Sequence, residues 1–340
     1  MSALTRALIA NTRSPLVKLF YWYVFLDLYL QSGIRSPVYT EDALPEMTAL
    51  LNRTAPDLAD LEFLADLRRV SESPLLPDTE MTREFRRAIA AIRHTRMASH
   101  DSTEPELHAS VLLVPVGREF LGNKPELAIP AMLSVRANRG FRKPGEAVWR
   151  IERQENDPIE SIANHALRAA QKEAGVKRAA LSYEIRLQRA DWHLRGSSLA
   201  LALAVLFFVF EAAEKRKSPR TPASDVVILG SVDEGGKAIP VSETTLAYKI
   251  RAAFGAGFRA IVLPIENLEA ARRELIRLSE RFPETQVPVL VPVASLHEVL
   301  SDASLFVRPT KPVRSLVIRV RTPRVLAGII LGLIVLGGLF

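Results

Sequence analysis

Two hydroxyls and one amine carry the chemical interest of this chain. Gly196-Ser197-Ser198-Leu199-Ala200 opens an apolar run that reaches Phe210, and it follows the alternating segment Ser182 to Gln188. A strand that turns into a buried helix sets a first-turn hydroxyl beside free N–H groups and the positive end of the helix dipole. Both favour an alkoxide or a neighbouring oxyanion, so Ser197 and Ser198 are candidate nucleophiles. The same pattern serves equally as a plain N-cap, and the stretch by itself does not separate the two. The amine is Lys249. In an expected helix from Thr244 to Phe254 it lies three residues from Leu246 and four from Ala253, on the face that Ile250 and Phe254 turn to the core. A lysine there either snorkels its ammonium out to water or is held dry. A dry lysine gives up its proton more readily and becomes a general base toward a serine.

Other chemistries find little support. The chain has no cysteine, which excludes disulfides, thiolate zinc sites and a cysteine nucleophile. Its six histidines show no metal-ligand spacing, and Gly235-Gly236-Lys237-Ala238 lacks the upstream glycine and the hydroxyl of a phosphate-binding loop. No cofactor is expected. The net charge of +7 is concentrated in Arg308, Lys311, Arg314, Arg319, Arg321 and Arg324, and without that block 39 basic residues face 38 acidic ones. A general nucleic-acid-binding surface is therefore not indicated.

The elements that must position Ser198 and Lys249 follow from the patterning. Residues 1 to 110 read as a helical region: an aromatic-rich stretch from Leu16 to Leu30, then helices at Ala43 to Leu51, Leu58 to Val70 and Met81 to His94. The charges between Asp57 and Arg69 read as a solvated helix face, and His100 to Glu106 as a linker. From Val111 the character changes. Strands are expected at Val111 to Val116, Ala128 to Val135 and Ala147 to Ile151, followed by a helix opened by Asp157-Pro158. After the buried helix that follows Gly196, the polar run Glu214 to Ser224 reads as a solvated insertion. Strands at Val226 to Leu229, Ala238 to Val241, Ala260 to Leu263 and Val287 to Val293 then alternate with helices at Thr244 to Phe254, Leu268 to Phe282 and Leu296 to Leu300. That alternation implies a mixed α/β domain.

Residues 111 to about 305 resemble the proteolytic domain of the Lon proteases, which work with a Ser-Lys dyad. Gly196-Ser197-Ser198-Leu199-Ala200 stands where the family has Gly-Pro-Ser-Ala-Gly, and Asp225-Val226-Val227-Ile228-Leu229-Gly230 matches its Asp-led strand and glycine turn. Pro240, Lys249, Ala252-Ala253, Gly257, Ile261-Val262-Leu263-Pro264 and Glu266-Asn267 match the landmarks around the catalytic lysine. Glu160-Ser161 upstream and His297-Glu298-Val299-Leu300 downstream fit as well. The order is collinear over about 195 residues. The resemblance implies an α/β (α+β) Lon-like fold, with Ser198 as nucleophile and Lys249 as general base for peptide hydrolysis through an acyl-enzyme. It also implies a polypeptide substrate and a homo-oligomeric ring. The family's ATPase is missing, so the activity implied is ATP-independent. Departures cluster at the dyad: Ser197 for proline, Ala200 for glycine, Leu229 for a frequent threonine, and Ser242-Glu243 for a flexible glycine pair. They leave open a second reading, a catalytically inactive Lon-like domain serving as a membrane-associated interaction or assembly module.

The expected organisation is a helical N-terminal region (1–110), the Lon-like domain (111–306), a basic juxtamembrane linker (307–324) and a transmembrane segment (325–340). Val325 to Phe340 has no polar side chain in sixteen residues, and the basic collar before it places the preceding domain on the cytoplasmic side of a membrane.

Overall fold

The computed structural model describes residues 9–10, 12, 14–32, 37–54, 58–92, 106–114, 122, 127–139, 144–149, 159–177, 179–187, 198–215, 219–309, 313 and 317–319. Four helices come first: α1 (Pro15–Gln31), α2 (Pro37–Thr54), α3 (Leu61–Ser71) and α4 (Glu80–Ala91). Each of α1, α3 and α4 starts at a residue that can cap, namely Ser14, Asp60 and Thr79, whose side chains accept from first-turn N–H groups. α1 is buried around most of its circumference, from Leu16 and Leu19 to Tyr21 and Leu26, so it is a core helix. Among the described residues no helix is long and apolar enough to cross a membrane. The stretch from Val325 to Phe340 lies outside the described residues.

The rest is a mixed α/β structure built on an eight-stranded sheet. Its strands are β1 (Leu107–Leu113), β2 (Ile129–Arg139), β3 (Ala147–Trp149), β4 (Ser182–Leu187), β6 (Val226–Ile228), β9 (Ala260–Pro264), β10 (Val289–Val293) and β12 (Ile318–Arg319). The order is β10-β9-β6-β1-β2-β4-β3, with β12 beside β2. Pairing is parallel from β10 through β9 and β6 to β1, antiparallel from β1 to β2 and β2 to β4, and parallel again at β3 and β12. β10 is an edge strand, and Val289 on it is 62% exposed. Two short pairs complete the strands: β5 (Thr221–Pro222) with β11 (Phe306–Val307), and β7 (Ser231–Val232) with β8 (Ala238–Ile239).

Alternation along the strands decides which helices cover which face. Ala109, Val111, Leu133, Val135, Tyr183 and Ile185 face one side, where they meet α5 (Ile159–Glu173) and α6 (Ala200–Glu214). Leu112, Val227, Ile261 and Leu263 face the other, under α7 (Glu243–Ala256) and α8 (Leu268–Arg281). A last helix, α9 (Leu296–Ser301), closes against the α6 side. The sheet is thus the middle layer, and its two flanking layers each supply one candidate residue.

Several expectations change. The boundary at 110 falls inside β1, which starts at Leu107, because the alternation of Leu107 and Ala109 into the core extends the ladder with β2 to Val135. The helical region is also not separate. Leu61 packs in the core of α7 and α8, and α1 to α4 share the other core with α6. The charges read as a solvated face of α3 include Asp60 and Glu62, both buried, because arginines far along the chain meet Glu62. The polar run after α6 is pinned at both ends: Lys215 donates to the carbonyls of Ala174 and Gly175, and Thr221–Pro222 is paired as β5. At the other end, β11 spans the expected boundary at 306, and Ile318–Arg319 extends the sheet beside β2 within the stretch expected to be a linker.

Candidate active site

Ser198 occupies the turn immediately before α6, which begins at Ala200 with Leu199 as its cap residue. Among the described residues no side chain caps this helix end. The turn is held by backbone instead. Gly230 N–H donates to the Ser198 carbonyl at 3.2 Å, and Leu201 N–H donates to the Gly230 carbonyl at 3.2 Å. Gly230 is itself anchored through its neighbour, since Leu229 N–H donates to Val262 of β9 at 2.8 Å. Its φ of +122° and the closeness of Pro264, whose Cγ would lie 2.8 Å from an added Cβ, explain why glycine stands there. The end of β6 therefore fixes the height of Ser198 above the sheet.

Lys249 comes from the opposite layer. α7 follows Ser242 at its N-cap and is stopped by Gly257, whose φ of +71° is the left-handed conformation that closes a helix. Its inward stripe comprises Leu246, Lys249, Ile250, Ala252 and Ala253, all buried. The entry to α7 is set by Asn267, a buried side chain that accepts from Val241 N–H at 2.8 Å and donates to the Val241 carbonyl at 2.9 Å. Both Val241 groups are satisfied by one amide, so the 3-10 turn Ile265–Asn267 that follows β9 dictates where α7 begins. The landmark Asn267 thus acquires a role that the spacing alone does not reveal.

The two side chains meet. Lys249 Nζ donates to Ser198 Oγ, while Ser198 is half-buried and Lys249 is 3% exposed. The amine does not snorkel; its stem and its head are both enclosed. Burial pushes the ammonium down from 10.5 to about 8, and among the described residues no charged neighbour contributes. At pH 7 roughly one molecule in ten then carries a neutral amine, against fewer than about one in a thousand for a free lysine. Leu229, where a threonine was the expected family residue, is buried in the same apolar cluster as Leu246 and Ile250, which adds carbon and not a hydroxyl to these surroundings.

The arrangement supports hydroxyl activation by an amine. Ser197, the other candidate nucleophile, and Gly196 lie outside the described residues. Leu201 N–H is committed to Gly230, which narrows the candidate oxyanion donors at the start of α6 to the N–H groups of Ser198, Leu199 and Ala200. Among the described residues no group of His, Asp and Glu could hold a metal ion. No protein-family model matches the chain, and no curated protein matches it either.

Proposed function

We propose that the chain is an ATP-independent serine endopeptidase of the Lon type, tethered to a membrane by its C-terminal segment, with the catalytic domain on the cytoplasmic side. The observation that carries the reading is the contact between Ser198 Oγ and a lysine amine that burial has made a usable base.

The steps follow from the two groups. Neutral Lys249 takes the Ser198 hydroxyl proton as Oγ bonds to a peptide carbonyl carbon, and the carbonyl oxygen becomes an oxyanion near the N–H groups that open α6. Collapse of this intermediate breaks the C–N bond, and the Lys249 ammonium returns its proton to the leaving amine. The resulting ester is hydrolysed when Lys249 removes a proton from water, which adds to the acyl carbon and releases a carboxylate and the serine hydroxyl. The same amine acts as base and acid in turn, so a value close to working pH suits both steps. An extended, flexible polypeptide is the fitting substrate, because its peptide carbonyls can reach Ser198 Oγ without prior unfolding.

The test is cleavage of an unfolded protein such as casein by the purified full chain. Activity that Ser198→Ala and Lys249→Ala each abolish is the expected result. Cleavage that survives either substitution would overturn the reading, and a wild type that binds unfolded chains without cutting them would favour the interaction module.

A further inference from the structure

The face of α7 opposite Lys249 is as organised as the lysine face. Arg251 and Gly255 are one turn apart on it, and both meet the N-terminal end of α3. A Cβ on Gly255 would lie 1.7 Å from the Ala59 carbonyl oxygen, so the two backbones touch there. One turn back, Arg251 donates to Glu62 at 3.1 Å and lies over the Tyr248 ring, 4.9 Å from its centroid. Glu62 also receives a bidentate bond from Arg277, one arm at 2.7 Å, and a third arginine, Arg281, at 2.6 Å. Both ends of the Glu62–Arg251 pair are largely enclosed, and Leu61 beside them packs in the core that contains Leu246 and Phe254.

We propose that Glu62, which lies outside the segment resembling a peptidase, is a positioning residue for Lys249: through Arg251 it holds the middle turn of α7 against the sheet and so keeps the lysine amine dry. This rests on the reading of Lys249 as the base. The physical reason is geometric. Lys249 and Arg251 are two residues apart and so point to opposite sides of one helix. A load on one side is felt on the other because α7 is a rigid rod between two layers. Without the carboxylate, Arg251 is left in a poorly solvated place with only the 3.6 Å contact to Glu274 and the charge of Asp60 to offset it, and it moves toward water. That motion carries the lysine turn with it and admits water to the amine. The charged groups that face Glu62 are Arg251 on α7, Arg277, Arg281 and Glu274 on α8, and Asp60 and Asp66 on its own element. Ser198 is the hydrogen-bond partner that faces Lys249 across the site.

The experiment follows the lysine itself and not the reaction. In the full chain labelled with carbon-13 lysine, the Lys249 Cε resonance is assigned by its loss in Lys249→Met and titrated from neutral to alkaline pH. The expected wild-type midpoint is about 8. Glu62→Gln should raise it by about one pH unit toward the free-lysine value. Arg251→Met, which leaves Glu62 bound by Arg277 and Arg281 and so preserves the fold, should raise it comparably, and the double variant should shift no further than either single one. Unchanged midpoints in folded Arg251→Met and Glu62→Gln, with only a lower melting temperature, would overturn the proposal. The outcome is independent of substrate cleavage: loss of the midpoint shift removes the positioning role, whereas an inert wild type with a normal midpoint and shift removes only the catalytic reading.

Discussion

The two faces of α7 treat positive charge in opposite ways. Inward, Lys249 sits in hydrocarbon beside a serine hydroxyl, and burial lowers its proton affinity to about 8. Outward, three arginines converge on Glu62, and their hydrogen bonds and charges, those of Arg277 first, hold its carboxyl down at about 2. The outer charges are compensated and serve as glue. Among the described residues the inner one has no counter-charge, and that leaves it with a proton it can exchange. Reactivity on this helix comes from withholding the partner that the other face supplies in excess.

The comparison is broken most directly at the dyad. If the inner face is catalytic, Ser198→Ala and Lys249→Ala should each lower kcat/KM for an unfolded substrate on the order of 10³-fold or more, read by initial rates at fixed pH. The pH profile sharpens the same point. The rate should climb as Lys249 deprotonates, with half its plateau at about pH 8, and a flat profile from neutral to alkaline pH would contradict an amine base.

Stability should split the two faces next. Removing Glu62 leaves buried arginine behind, so Glu62→Gln should cost about 3 kcal/mol in denaturant unfolding. Because its folded value lies below the ordinary 4.5, Glu62 stabilises above that pH, and the contribution fades as pH falls toward about 2. Lys249→Met should do the reverse. The folded value lies below the unfolded one, so the penalty is full below about 8, where the lysine is charged in both states, and fades between about 8 and 10.5. Replacing it should therefore stabilise the fold on the order of 2 to 3 kcal/mol at neutral pH, with the gain shrinking in alkaline buffer. Glu62→Gln and Lys249→Met thus move stability in opposite directions while both lower activity.

The smallest expected effects concern the supports. Gly230→Ala must displace Pro264 and adopt a left-handed φ, at a cost of about 1 to 3 kcal/mol, and should lower kcat more than it raises KM because Ser198 is moved. Asn267→Ala leaves the Val241 N–H and carbonyl without that side chain, which should cost about 2 kcal/mol and lower the rate by shifting the start of α7.

Much of the scaffold is legible in the chain because it is written in local periodicity. The stripe of Leu246, Lys249, Ile250 and Ala253 gives the phase of α7, and the alternation around Tyr183 gives β4. The joining of Ser198 to Lys249 rests on collinear landmarks and not on either residue's neighbours. Whether Lys249 snorkels could not be read from its helix, since what encloses it comes from other segments. The same holds for Asp60 and Glu62. They look like ordinary surface acids, and their burial is decided by Arg251, Arg277 and Arg281, which lie 189, 215 and 219 residues from Glu62. Asn267 is another case: an asparagine near a strand end reads as a turn former, and its two bonds to Val241 require the fold.

The edge of the sheet bears on how copies of this chain can assemble. Val289 N–H is directed inward to the Arg259 carbonyl, so in a parallel pairing the outward positions of this strand are Pro288, Leu290 and Pro292. Two of the three have no N–H to give, and the border offers one donor between two rings. A second copy therefore finds a ladder short of donors here, beside the exposed valines at 287 and 289. Prolines at two of three outward positions are a device that weakens strand addition at a sheet border, so this edge is blunted by its backbone and not by charge.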